Sequence, residues 1–113
     1  MSDPDAVVTA QISEWLALLK ARNYRPGSIR SFRRGLAAFV SFLIAENIAG
    51  FRDVTAATLS TYRRHLVDAG YSGHTVCFYL RAVRKFFAHL EETGQVFMNP
   101  AAGMIIPRPG KRS

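Results

Sequence analysis

The stretches 24–43 (YRPGSIRSFRRGLAAFVSFL) and 71–90 (YSGHTVCFYLRAVRKFFAHL) read as one element written twice. At a spacing of 47 residues, Tyr24 pairs with Tyr71, Ser28 with Thr75, Ile29 with Val76, Phe32 with Tyr79, Arg34 with Arg81, Leu36 with Val83, Phe39 with Phe86 and Leu43 with Leu90. Within each copy apolar residues recur every three or four positions, the period of an amphipathic helix. Both copies set arginine on the side that cannot be core, and a basic helix used twice suggests a clamp on a polyanion.

Working outward from these two helices, the chain reads as a compact all-α bundle. A helix is expected from Pro4 or Asp5 to Ala21, on Val8, Ile12, Trp15, Leu16 and Leu19, with Asp3 and Asp5 suited to its positive N-terminal end and Asn23 as its stop. The next opens with Pro26 at a position that tolerates a missing N–H and runs to about Glu46 through Ile29, Phe32, Leu36, Phe39, Val40 and Leu43; Asn47 and Gly50 end it. Thr55 is a good N-cap for a short helix on Leu59, Tyr62, Leu66 and Val67, which Gly70 closes. Ser72 caps the last, which runs to about Thr93 and stops at Gly94. Asn99 to Ala102 is expected to form a final turn. Residues 1–106 read as one domain and 107–113, with Pro107, Pro109, Gly110, Lys111 and Arg112, as a linker. β-Branched residues alternate nowhere, and the run Met104 to Ile106 is cut by Pro107. Short connections predict that each helix packs on its neighbour in sequence and that the two copies form a pseudo-repeat.

Helical phase separates core from surface. Centring the apolar arc on Phe32, Leu36, Phe39 and Leu43 puts Arg30, Arg34, Ala37, Ala38 and Ser41 on the far side, with Arg33 on the flank. In the last helix the same construction puts His74, Cys77, Phe78, Arg81 and Lys85 opposite the core and Arg84 on the flank; Phe78 becomes the core's edge if the phase shifts one step. Exposed basic residues are ordinarily just solvated. Here Arg30 and Arg34, like Arg81 and Lys85, are like-charged at i,i+4, which costs a few tenths of a kcal/mol and is tolerated more readily if a partner supplies the anions.

Composition agrees. The 113 residues are one domain's worth, 49% hydrophobic, with 15 Lys+Arg against 8 Asp+Glu and a net charge of +7. That balance favours nucleic acid or another anionic surface. The lone Cys77 makes no internal disulfide and fits a reducing compartment, no apolar run approaches the roughly 20 residues of a membrane span, and a cytoplasmic location is expected. His65, His74 and His89 stand in no metal-ligand pattern, Gly94 and Gly103 build no phosphate loop, and the four tyrosines fall at core or helix-edge positions. Neither a metal nor another cofactor is expected, and no catalytic residue is assigned.

The order Pro26-Gly27-Ser28-Ile29 with Phe32, Asp53-Val54-Thr55 before Leu59-Ser60-Thr61-Tyr62, Ser72-Gly73-His74-Thr75-Val76 before Leu80-Arg81-Ala82-Val83-Arg84-Lys85-Phe86-Phe87, and then Asn99-Pro100-Ala101 resembles the N-terminal core-binding domain of tyrosine recombinases, the phage-integrase and Xer-like group. The resemblance covers nearly the whole chain. It implies a four- to five-helix SAM-like bundle that arches over one side of double-stranded DNA, while a C-terminal catalytic domain, whose nucleophilic tyrosine has no place here after Pro107, holds the other. Carried over, the DNA-facing residues are Arg30, Arg34 and Ser41 on one helix and Ser72, His74, Arg81, Lys85 and Arg84 on the other. It also implies self-association on DNA through the first helix, around Trp15. The chain departs from the family at Arg25, where a capping serine is common, and at Phe32, where tyrosine is common. The expected function is therefore DNA binding within a recombinase or integrase. The alternatives are a helix-turn-helix regulator pivoting on Ala69-Gly70-Tyr71-Ser72 and a basic bundle that binds an acidic protein.

Overall fold

The computed structural model describes residues 4–106 and contains four α-helices. They are α1 (Pro4–Ala21), α2 (Pro26–Ala45), α3 (Ala56–Asp68) and α4 (Gly73–Glu92), with a 3-10 turn, Phe51–Asp53, before α3. No strand occurs among the described residues. Asp3, the side chain of Asp5 and the linker expected over 107–113 lie outside them.

The helix ends are where the repeat is plainest. Asn23 and Asn47 take positive φ (66° and 60°), as do Gly70 (92°) and Gly94 (75°). This left-handed residue lets the chain turn back so that the next N–H reaches a carbonyl of the last helical turn. Tyr24 N donates to Leu19 O, Ile48 N to Leu43 O, Tyr71 N to Leu66 O and Gln95 N to Leu90 O. The first and third of these bonds, and likewise the second and fourth, are related by 47 residues, so the repeat extends to the α1–α2 hairpin and the α3–α4 hairpin. The helix starts differ. Thr55 and Thr58 form a reciprocal capping box on α3, and Ser72 Oγ accepts from Thr75 N at 3.2 Å on α4. Arg25 makes no side-chain cap on α2, leaving Pro26 to set its start.

The hairpins lock through aromatic rings. Phe39 of α2 meets Tyr62 of α3 at 4.9 Å and Phe87 of α4 at 6.1 Å, while Phe86 of α4 meets Trp15 of α1 at 5.4 Å and Phe51 at 4.9 Å. Phe39, Phe86, Phe87, Leu36, Val83 and Leu90 are fully buried, and each side chain contributes about 1.5–3 kcal/mol by leaving water. The broadest contact is between α2 and α4, not between neighbours in sequence throughout. They pack tightly at Gly35, where an added Cβ would sit 3.1 Å from the Tyr79 ring and 3.6 Å from the Ala82 Cβ. Gly35 and Ala82 are themselves 47 apart, so the crossing lies at equivalent positions of the two copies.

Packing corrects several sequence-level expectations. Cys77, placed on the outer face by phase, is buried at 6% exposure, because α4 is covered on more than one side. Phe78 is half-buried and stacks on Phe32 at 5.4 Å, so it belongs to the edge of the core. Val67, expected inside, is 57% exposed, since α3 buries only the stripe Leu59, Tyr62 and Leu66. Phe42 was not expected in the core and is buried, because Tyr62 and His65 reach its ring at 5.1 and 5.3 Å. The Trp15 ring itself faces the core, against Phe32 and Phe86.

Candidate nucleic-acid interface

Because α2 and α4 cross at Gly35 and Ala82, their outer faces diverge and leave a shallow open groove of about 370 Å³ between them. Ser31 and Arg34 line it from α2, and His74, Thr75, Phe78, Tyr79 and Arg81 from α4. The repeat-related arginines Arg34 and Arg81 therefore share one concavity, with an apolar and aromatic floor beneath them. Arg34 is exposed and Arg81 half-buried. Arg30 is exposed one helical turn before Arg34. Among the described residues no carboxylate lies within 4.0 Å of Arg30, Arg34 or Arg81; the ion pair found there is Glu14 with His89, on α1 and α4, at 3.8 Å.

The other residues singled out by sequence fall elsewhere. Ser41 is exposed near the far end of α2 and does not line the groove. Ser72 caps α4, its hydroxyl engaged with both the N–H and the hydroxyl of Thr75. Lys85 is exposed, with Nζ 5.9 Å from the centre of the Tyr24 ring, in a separate recess that also includes Arg22, His89 and Glu92. Arg84 is half-buried, and its Nη1 donates to Met104 O at 3.0 Å. Ser31, Thr75 and Tyr79 were missed as groove residues. Their signal was present, since Ser31 precedes Arg34 by three residues on one helix face, while on α4 Thr75 precedes Tyr79 by four and Phe78 precedes Arg81 by three.

The groove offers guanidinium, imidazole and hydroxyl donors together with positive charge, a set suited to an anionic oxygen ligand. It contains no nucleophile paired with a base. The Tyr62 phenol lies in the core, where burial, with Tyr79 and Tyr71 adding, pushes its pKa well above the ordinary tyrosine value and keeps it protonated. Among the described residues no three His, Cys, Asp or Glu side chains gather as metal ligands, and no helix is long and apolar enough to cross a membrane.

An all-helical module with a donor-rich groove between two repeated helices is the class of protein this architecture defines. Comparison with known families makes it particular: residues 12–94 match the phage integrase N-terminal SAM-like domain, and the chain belongs to that family. Its relatives include proteins named tyrosine recombinase XerC. That of Roseiflexus sp. (strain RS-1) is 30% identical over 91 residues, 80% of this chain and 29% of the relative. That of Haemophilus influenzae (strain ATCC 51907 / DSM 11121 / KW20 / Rd) is 25% identical over 105 residues, 93% of this chain and 36% of the relative. That of Actinobacillus succinogenes is 28% identical over 90 residues, 80% of this chain and 30% of the relative. The chain thus spans about a third of the length of the curated relatives it matches. No solved structure matches it significantly.

Proposed function

We propose that this chain is the DNA-binding N-terminal module of a site-specific tyrosine recombinase and that it grips duplex DNA with the α2–α4 groove. The observation that carries the reading is the placement of Arg34 and Arg81 in one concavity with Ser31, His74 and Thr75. The relatives' shared name, tyrosine recombinase, supports it. In this reading Arg34 and Arg81 engage phosphates from opposite sides of the groove, with Arg30 extending the track along α2. The hydroxyls of Ser31 and Thr75 donate to phosphate oxygens and fix register. An arginine that reaches past the backbone reads guanine through O6 and N7. Lys85 adds charge from its separate recess, and Ser41, exposed beyond the groove, adds a hydroxyl donor.

Residues 1–106 act as the binding unit and 107–113 as the linker to a catalytic domain that supplies strand cleavage and rejoining. The binding chemistry itself needs no cofactor. Contact with about four to seven phosphates gives log K against log salt a slope of roughly −4 to −6. Titration of a labelled duplex at several salt concentrations tests this. A slope in that range supports the reading, whereas a flat response, or tight binding to an acidic protein without any duplex binding, overturns it.

A further inference from the structure

The segment after α4 does not leave the bundle freely. Asn99 anchors its turn by donating from Nδ2 to Arg84 O at 3.2 Å and accepting at Oδ1 from Ala101 N at 2.9 Å, and Ala101 is fully buried. From Met104 the chain runs without a helix, Met104 and Ile106 packing against the core while Ile105 projects outward. Two successive carbonyls of this run are each met by a guanidinium from a different helix. Arg84 Nη1 on α4 donates to Met104 O at 3.0 Å, and Arg63 Nη2 on α3 donates to Ile105 O.

We infer that Arg63 and Arg84 are a clasp that holds Met104–Ile106 against α3 and α4, so that the chain leaves the bundle in a fixed direction, and that neither arginine contacts DNA. Charged donors to carbonyls are among the stronger hydrogen bonds, and the planar fork of arginine places them more rigidly than an ammonium does. Both side chains are half-buried, and both are turned toward backbone instead of the groove. The clasp stands on the contacts alone; that it orients a following catalytic domain rests on the recombinase reading.

Hydrogen exchange and duplex titration of the Arg63→Met and Arg84→Met variants test the clasp on the 113-residue chain. Loss of a hydrogen bond from a charged group predicts that the Met104 amide, which donates to Ala101 O, exchanges faster by about tenfold or more, with the rest of α3 and α4 unchanged. Duplex affinity stays within about twofold and the salt slope is unaltered. Arg84→Lys, which keeps the charge and most of the stem, guards against a folding defect; it loosens 104–106 yet binds DNA as the parent does. Unchanged exchange in all three variants overturns the clasp. So does a salt slope reduced by about one in either methionine variant with affinity retained in Arg84→Lys, because that pattern belongs to a phosphate contact. If the parent chain binds no duplex, the DNA reading falls while the exchange result still decides the clasp.

Discussion

The hairpins α1–α2 and α3–α4 end their helices at matching residues and place Arg34 and Arg81 in the same groove, yet their surroundings diverge. Arg30 on α2 is exposed, whereas its counterpart Cys77 on α4 is buried; Arg33 is exposed, whereas its counterpart Leu80 is buried. The difference lies in neighbours. α4 packs against α1, α2 and α3 and carries the returning C-terminal segment, while α2 keeps an open flank with Arg30, Arg33, Ala37 and Ser41 outward. A repeated sequence therefore supplies two similar helices, and their position in the bundle decides which face of each remains for a partner.

The largest effects expected are in the core, where the halves should behave alike. Phe39 and Phe86 are equivalent and both fully buried, so Phe39→Ala and Phe86→Ala should each lower the unfolding free energy by about 3–5 kcal/mol. Urea denaturation measures both, and a clearly smaller loss at either site breaks the equivalence.

Next comes the groove. Arg34→Glu and Arg81→Glu should weaken duplex binding comparably and, combined, flatten the salt slope by about two while circular dichroism stays unchanged. An effect confined to one of them would mean that one helix does the binding.

The helix starts should respond in opposite directions. Ser72→Ala removes the hydroxyl that accepts from Thr75 N and should cost about 1 kcal/mol, whereas Arg25→Ser supplies a missing cap and should add stability of up to about that amount. Thermal unfolding of the two variants reads the sign directly.

The smallest effect concerns Tyr62. Its phenol has a folded-state pKa raised above the unfolded value, so the folded state holds its proton more tightly. Its contribution is full below the unfolded pKa of about 10 and declines as pH rises above it. Tyr62→Phe should remove that alkaline decline and, through loss of the long 3.5 Å contact to Gly35 O, cost no more than about 1 kcal/mol at neutral pH. Unfolding titrations between neutral and alkaline pH check it.

The helices and their ends were legible in the sequence because they depend on local chemistry. Asn23, Asn47, Gly70 and Gly94 suit a left-handed stop, Thr55 and Ser72 suit a cap, and both act within one turn of their own helix. The groove was half legible. Phase gave Arg30, Arg34, His74 and Arg81, since a single helix defines its own outer face. Phase does not say how many neighbours a helix has. Cys77 and Phe42 were misjudged for that reason, as was Val67, which lies on a helix that buries only a narrow stripe. The fate of Arg84 was beyond any local pattern, because its guanidinium meets a carbonyl 20 residues further along, which only the folded return of the chain brings near.

The most direct test of the groove is to follow the backbone amide resonances of the isotopically labelled chain as a short mixed-sequence duplex is added at low salt. Shifts concentrated at Ser31, Arg34, His74, Thr75 and Arg81, on both helices at once, are the predicted result. Shifts confined to one helix, or gathered elsewhere with these five amides unmoved, would contradict a clamp built from the repeated pair.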